Sequence, residues 1–409
     1  MRVMIVGAGI GGLSLALMLE EAGIETIIFE KARELTELGV GINLLPHAAG
    51  ELFALRLGDQ LDDIGIRTRA LHYKTALGQN IVSQQRGLWA GMPYPQYSIH
   101  CGRLHGMLLK TFIERVGHER IFLDRTLLNC QQKSKDVVAQ FSNHAGMLLE
   151  QAGDIMIGAD GIHSTVRACL YPDQGPPNWN GVVMWRGATW APKFLGGDSM
   201  IIAGGMDRKL VIYPIADDPH RPDEVLTNWV VNVRLAQPGT TPPSRQDWSR
   251  LSTVEDVLVY TKEELSVTEI NIEDLVRNAP GIFEYPMCDR DGLPRWSHGR
   301  VSLLGDSAHP MYPVGSNGAS QAILDAQCLV NHLKTQDDPI AALEAYDHER
   351  RPVTSEIVRM NRQGGPERVV DLVQARAPDG FDDIHDVISD EDLNHIVGEY
   401  QKLTGYSRG

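Results

Sequence analysis

Gly7, Gly9 and Gly12 stand in G-x-G-x-x-G register, and Glu30 follows eighteen residues after the last of them. Glycines so spaced let the chain turn tightly, bring bare backbone against a pyrophosphate and seat a helix closely on a strand. An acid at that distance accepts hydrogen bonds from ribose hydroxyls and repels a 2′-phosphate. The chemistry they fit is dinucleotide binding. The glycine pattern alone would be weak, but its context is right on both sides. Arg2–Val6 is an apolar, β-branched run suited to a buried parallel strand. Leu13, Ala16, Leu17 and Leu19 recur at helical spacing until Gly23, and Thr26–Phe29 is a second apolar run. Together these make one βαβ unit, with a helix N-terminus free to donate to phosphates. Gly11 lies within the turn, and Lys31 follows the acid.

Two later segments repeat that logic. Ile155–Gly158 ends in Ala159, Asp160 and Gly161, with Ser164 and Arg167 opening a helix. Open α/β sheets hold ligands at such strand ends, although Asp is equally a common helix cap. Arg300–Leu304 runs into Gly305, Asp306, Ser307, Ala308, His309 and Pro310, then Pro313 and the loop Val314–Gly318, before a helix from Ala319 to Leu333. That helix turns free N–H groups and the positive end of its dipole toward whatever the loop faces. His309 is a candidate base; beside a proline in a glycine-rich loop, backbone support is the commoner role for histidine.

The elements that must position these residues follow from patterning. Leu38–Leu45 carries Gly39 and Gly41 in an apolar run, which fits either backbone pressed against a flat group or a kinked strand. Pro46–Leu61 reads as a helix, Leu71–Ser83 as a strand, Gly87–Gln96 as a loop, and Tyr97–Lys110 as the lead into a helix. Residues 121–158 read as a small antiparallel meander. From Trp179 to Glu284, short β-branched and aromatic runs alternate with Pro- and Gly-rich turns, the signature of a mainly antiparallel sheet. Trp248–Val276 reads as a helix packed on it, Ala341–Arg350 and Pro352–Arg362 as charged helices, and the acidic tail as ending in an amphipathic helix.

Composition narrows the partners. Against 38 Lys and Arg stand 53 Asp and Glu, a net charge of −15 that repels nucleic acid and anionic membranes. No apolar run reaches the roughly eighteen residues of a membrane span. The chain opens on a strand, so no leader peptide is read. Cys101, Cys130, Cys169, Cys288 and Cys328 are scattered without a C-x-x-C, which fits reduced thiols and a cytoplasmic location. No metal is expected.

In their order and spacing, the three strand-end motifs resemble the single-component FAD-dependent aromatic monooxygenases of the para-hydroxybenzoate hydroxylase fold. The closer likeness is to the salicylate and 3-hydroxybenzoate hydroxylase branch, with its phenazine-pathway members nearest. LGVGINLLP (38–46), YPQYSIH (94–100), MWRG (184–187), YPM-DRD-LP-W (285–296) and GDSAHPMYPVGSNGASQAILD (305–325) carry it, and it covers residues 1 to about 355. The implied fold class is α/β: a Rossmann-like FAD-binding domain (1–175 and 285–365), an inserted mainly antiparallel β-sheet substrate domain (176–284, with 70–97 as a candidate contributor), and a C-terminal helical tail (366–409). The implied chemistry is hydroxylation of a small aromatic or heteroaromatic substrate, a carboxylated phenol or phenazine-like ring. It uses FAD, O₂, and NADH or NADPH as transient reductant, and transfers OH through a flavin C4a-hydroperoxide. A monomer or homodimer is expected.

The resemblance also implies roles. Gly7, Gly9, Gly11 and Gly12 hold the FAD pyrophosphate, and Glu30, with Lys31 beside it, the adenosine ribose. Gly305 and Asp306 take the ribityl and pyrophosphate side, while Asp160 and Gly161 serve FAD and the passing NAD(P)H. Pro313, Gly315, Gly318 and Ala319 lie beside the isoalloxazine, and Val40, Gly41 and Asn43 meet its other side. Relatives lack a separate nicotinamide domain, and no second G-x-G-x-x-G unit occurs here. One departure stands out: relatives place an FAD-contacting Arg three residues before a Leu, where this chain has Cys101 before Leu104. The nearest Arg, Arg103, is carried as a candidate, although two positions turn a helical side chain by about 200°.

For the substrate, Arg186 in an apolar strand suits a carboxylate, or else a salt bridge joining the sheet to the FAD domain. Tyr213 suits a phenol or ring nitrogen, or the core; Trp185 and, on the flavin side, Pro313 complete the set. No residue reads as a general base. Other oxygenations (N-oxidation, epoxidation, oxidative decarboxylation), a flavoprotein without turnover, and a plain NAD dehydrogenase are the competing readings.

Overall fold

The computed structural model describes residues 1–35, 39–244, 250–261 and 265–404. Its first layer is a parallel sheet of five strands, in the order Val301–Leu303, Ile155–Gly158, Arg2–Val6, Glu25–Phe29 and Ile121–Phe122. The opening strand sits at the centre, where Val3, Met4 and Ile5 are fully buried, as a strand covered on both faces must be. The glycine helix (Ile10–Glu21) and the long helix Gly318–Thr335, here the ring helix, pack against one another. A three-stranded antiparallel meander (Thr126–Gln132, Val137–Ser142, Leu148–Gly153) flanks this layer; it is narrower than the expected 121–158, because Ile121–Phe122 and Ile155–Gly158 join the parallel sheet instead.

The second layer is a sheet of eight strands among the described residues. Its order is Leu251–Ser252, Ile282–Asp289, Asn178–Pro192, Glu224–Arg234, Arg208–Ala216, Ser199–Ala203, Ala70–Lys74 and Asn80–Gln85. Every pairing is antiparallel except Ser199–Ala203 with Ala70–Lys74. Residues 70–85 thus belong to it, and it runs to Asp289, beyond the expected boundary at 284. In a third, small sheet, Tyr97–His100 is the central strand and pairs with Gly41–Leu44 on one side and Gly65–Arg67 on the other. No helix among the described residues is long and apolar enough to cross a membrane.

Several elements differ from the sequence reading. Leu71–Ser83 is a hairpin, Ala70–Lys74 and Asn80–Gln85, turned at Thr75–Gln79. Pro46–Leu61 is two helices, Pro46–Ala54 and Gly58–Ile64, parted where Arg56 takes a left-handed φ of +63°. Trp248 and the start of the helix expected there lie outside the described residues. Within 250–276 the chain forms a short strand, a helix Val254–Leu258 and the start of another, Ile272–Arg277. Thr253 with Asp256 and, separately, Asn271 cap those starts, and such caps favour short helices over one long one. The break expected at Pro352 is absent: one helix, Pro339–Arg362, runs through it. The carbonyl that Pro352 leaves unpaired belongs to His348, which is exposed and can turn to water.

Candidate active site

The three strand-end segments meet. Gly7 turns at φ +108°, and a Cβ there would fall 2.4 Å from the Ala159 carbonyl oxygen, so the first and second motifs touch through bare backbone. A Cβ on Gly12 would lie 2.1 Å from the Gly7 oxygen, and one on Gly11 2.9 Å from Leu304, against the third motif. Gly9 is different: it is exposed, its backbone is extended, and nothing lies within 4 Å of its Cβ position. It caps the glycine helix without any side chain, and no acid occupies the first turn. Free N–H groups therefore face the open space above Gly9. The Glu30 carboxylate stands at the rim, accepting from the Ala8 and Ala32 N–H groups at 2.9 Å each. Lys31 is exposed beside it.

Asp306 is open to solvent but walled by protein, and that burial raises its carboxyl above the ordinary range. It makes no hydrogen bond or ion pair among the described residues, and the Gly318 Cβ position lies 4.0 Å from its Oδ1. The turn that presents it is locked from both sides. Arg167, almost fully buried, donates to the Ser307 and Ala308 carbonyls (3.0 and 2.7 Å) and to the Asp291 carbonyl (2.9 Å). From the other side, Asp325 accepts the Gly305 N–H at 3.0 Å. Asp325 also meets His309 Nε2 at 2.5 Å and Arg350 Nε at 2.8 Å. His309 is thus buried support for the turn.

Asp325 is fully buried. Burial pushes its carboxyl up, but the charges of His309 and Arg350 outweigh burial and hold it at about 2, below the ordinary 3.8. A depressed carboxylate adds stability at higher pH and loses it as pH falls through the folded value. The expected contribution, on the order of 2 kcal/mol, vanishes between about pH 4 and 2. Asp325→Asn should lower stability at neutral pH by about 3–5 kcal/mol, because it strands the Arg350 charge. It should also flatten that acid limb, and denaturant melts across pH read both effects.

Asp160 spends both carboxylate oxygens on the helix Thr165–Leu170: Oδ1 on the Ser164 hydroxyl, Oδ2 on the Thr165 and Val166 N–H groups. The helix-cap alternative describes its side chain, while Gly161, at φ +77°, leaves open space beside it.

In the long strand Asn178–Pro192, side chains alternate. Val182, Met184 and Arg186 face the third motif, and Val183 and Trp185 face the opposite core. Trp185 is therefore not a pocket residue; its indole donates to Ser252 and Glu284 on the far side. A small cavity is lined by Met184, Arg186, Tyr285 and Cys288 from the large sheet and by Ile162, Asp306, Pro310, Met311 and Pro313. Arg186 donates to the Tyr285 hydroxyl at 2.6 Å and to the Gly41 carbonyl. Its Nε is buried without a partner. No carboxylate pairs with it among the described residues, so the expected alternative of a salt bridge to the FAD domain becomes a hydrogen bond to backbone.

Tyr213, buried, also donates to the Gly41 carbonyl, at 2.8 Å, and burial pushes its hydroxyl up to about 12. It is a donor at neutral pH, not a base. The Gly41 Cβ position lies 2.6 Å from the Tyr213 ring and 2.7 Å from Asn228, whose amide oxygen accepts the Gly41 N–H at 2.7 Å. The backbone at Gly41 is pressed against a flat group, and that group is Tyr213. Asn43 accepts from Ser98 and donates to Ser316 at 3.2 Å, which joins the 40–43 strand to the 313–318 loop. Val40 is buried and bonds its carbonyl to the Cys101 N–H. Gly315 turns at φ +65°, and Gly318 and Ala319 open the ring helix, which has no side-chain cap and no acid in its first turn.

Cys101 opens the helix Cys101–Arg115, and one turn on, His105 meets the Ala8 carbonyl at 2.7 Å. The contact to the glycine turn thus comes from His105, which sequence reasoning missed. Arg103 makes no hydrogen bond or ion pair among the described residues. Asn228, Tyr285 and Arg350 were missed as well; only Asn228, a polar residue inside an apolar strand, carried a readable signal.

The sequence matches the FAD binding domain family over residues 1–361. It is 43% identical over 369 residues to phenazine 1,6-dicarboxylic acid hydroxylase PhzS of Lysobacter antibioticus, covering 88% of this chain and 89% of that protein. It is 30% identical to 3-hydroxybenzoate 6-hydroxylase 1 of Aquipseudomonas alcaligenes, covering 88% of each. The fold matches Klebsiella pneumoniae HpxO, solved with FAD and uric acid, at a TM-score of 0.74 and 20% identity, covering 99% of this chain and 92% of that one. The chain belongs to the FAD-binding family that these matches define, in its branch of aromatic-ring monooxygenases, and FAD is its cofactor.

Proposed function

We propose that the protein hydroxylates a carboxylated aromatic or heteroaromatic ring, phenol- or phenazine-like, at the expense of O₂ and of NADH or NADPH, in the cytoplasm. The observation that carries this reading is Arg186. It is a guanidinium without a carboxylate partner, on the wall of the cavity that Asp306 and Pro313 also line. A charge left so needs an anion, and a planar carboxylate matches its fork. The two hydroxylases of highest identity described above act, by their names, on carboxylated rings.

The residues present suit FAD. The open space over Gly9 admits a pyrophosphate to unpaired N–H groups, Glu30 is placed for ribose hydroxyls, and Asp306 lacks any donor of its own. We assign Gly7, Gly9, Gly11 and Gly12 to the pyrophosphate and Glu30, with Lys31, to the ribose. Gly305 and Asp306 are assigned to the ribityl side, and the backbone at Asp160 to the space between. Val40, Gly41 and Asn43 would bound one side of the ring, and Pro313, Gly315, Gly318 and Ala319 the other. Arg103 stays a candidate contact to the cofactor. When bound, FAD supplies hydride acceptance from NAD(P)H and the activation of O₂ for transfer of one oxygen atom to the ring.

The chain's part is positioning and electrostatics. The free N–H groups of the ring helix stabilise negative charge at the ring edge. Arg186 orients the substrate carboxylate, and the wall formed by Met184, Tyr285 and Pro313 keeps water out. Tyr213 spends its hydroxyl proton on the Gly41 carbonyl and is assigned to fixing that backbone. Asp306 is assigned to the ribityl side, and no other cavity residue among those described is assigned the removal of a proton, so an electron-rich substrate is expected. The test is NADH and NADPH oxidation by FAD-loaded protein against a panel of carboxylated phenols and phenazines, with product mass recorded. Stimulated oxidation with a product one oxygen atom heavier is expected. A carbon dioxide loss or an unchanged ring would replace the proposal with another oxygenation or with none.

A further inference from the structure

We propose that the C-terminal segment, through Tyr400 and Glu367, is a built part of the flavin site: it fixes the backbone of residues 312–317 and so sets where the ring helix begins. The inference rests on the assignment of that loop to the isoalloxazine, made above.

The loop holds two consecutive left-handed residues, Gly315 at φ +65° and Ser316 at φ +57°. A non-glycine residue in that region costs about 1–3 kcal/mol and persists only where the surroundings over-determine it. The surroundings here come mostly from the tail. Tyr400, on the terminal helix Asp390–Thr404, is fully buried, with its ring against Gly315 and Gly365. A Cβ on Gly315 would fall 2.5 Å from that ring, so glycine is required there twice over, by φ and by space.

The Tyr400 hydroxyl is a hub. It donates to Asn361 Oδ1 at 2.7 Å, accepts from Asn317 Nδ2 at 3.1 Å and stands 3.2 Å from the Val314 carbonyl. Asn361 in turn donates to the Tyr312 carbonyl at 3.0 Å. Both ends of the loop are therefore tied to one phenol. Asn317 is the residue on which the ring helix starts.

Glu367 supplies the second anchor. Its Oε1 accepts the Gly315 N–H at 3.2 Å, and its Oε2 pairs with Lys209, both side chains being almost fully buried. Lys209 lies on the same strand as Tyr213. The tail thus couples the loop to the substrate sheet. Tyr400 and Glu367 act through the loop, as positioning residues.

The experiment compares Tyr400→Phe with wild type by flavin titration of the apoprotein and by the visible spectrum of bound FAD. Tyr97→Phe, which removes a hydroxyl bonded to Asp62, is the control for loss of a tyrosine hydroxyl elsewhere. The ring itself is kept in Tyr400→Phe and still packs, so the fold should hold. FAD should dissociate about tenfold more readily, with a shifted bound-flavin spectrum, since about two hydrogen bonds to the loop are lost. Tyr97→Phe should leave both readouts unchanged. Should Tyr400→Phe fail to fold, Glu367→Gln reads the same loop from its other anchor, with the same shift expected. A spectrum and affinity equal to wild type in the folded variant overturn the proposal. If wild type itself takes up no FAD, it is the underlying site assignment that fails.

Discussion

Gly9→Ala is expected to leave the fold and its stability untouched while weakening FAD binding about 100-fold. The backbone at Gly9 is extended, at φ −73°, so alanine adopts it freely, and no protein atom lies within 4 Å of the new Cβ. The methyl group instead fills the space through which a pyrophosphate reaches the N–H groups of the glycine helix. Two charge-assisted hydrogen bonds lost at about 1.5 kcal/mol each give that factor. Gly12→Ala makes the contrast: its Cβ would meet the Gly7 oxygen at 2.1 Å, so it should lose stability and flavin together. Thermal melts of the apoproteins beside FAD titrations separate the two outcomes. Normal flavin affinity in folded Gly9→Ala would remove the pyrophosphate from this turn.

The second large effect concerns Arg186. Arg186→Met keeps most of the side-chain volume and removes the charge. Catalytic efficiency (kcat/KM) toward a carboxylated substrate should fall about 100-fold, the worth of a bidentate charged contact at roughly 3 kcal/mol. Toward the same ring without its carboxylate, wild type and variant should differ little. Arg186→Lys keeps the charge but not the fork, and should fall between. An equal loss on both substrates would make Arg186 a tie between Gly41 and Tyr285 and nothing more.

The parts of this site that could be read from the chain are those built locally. A glycine turn, its flanking strand and helix, and the strand-end Asp306 each lie within a few residues, so spacing alone located them. Period-two alternation placed Arg186 in a strand but did not say which face was wet, and Trp185, its neighbour, points the other way. The long helix through Pro352 was unreadable for a related reason: whether proline breaks a helix depends on whether the freed carbonyl finds water, which is a tertiary fact. Least visible was the tail. Tyr400 reaches Gly315 across most of the C-terminal third of the chain, and no local pattern marks a tyrosine in an amphipathic helix as the partner of a distant glycine. Likewise His105 meets the glycine turn from the helical face it shares with Cys101, the position where family likeness places an Arg.

A crystal structure of the FAD-loaded protein tests the central claim most directly. One flavin should lie with its pyrophosphate over Gly9–Gly11, its ribityl chain at Asp306, and its ring between Val40–Asn43 and Pro313–Gly318, facing Arg186. A flavin that misses any one of these three segments, or whose ring lies outside the cavity bearing Arg186, would contradict it.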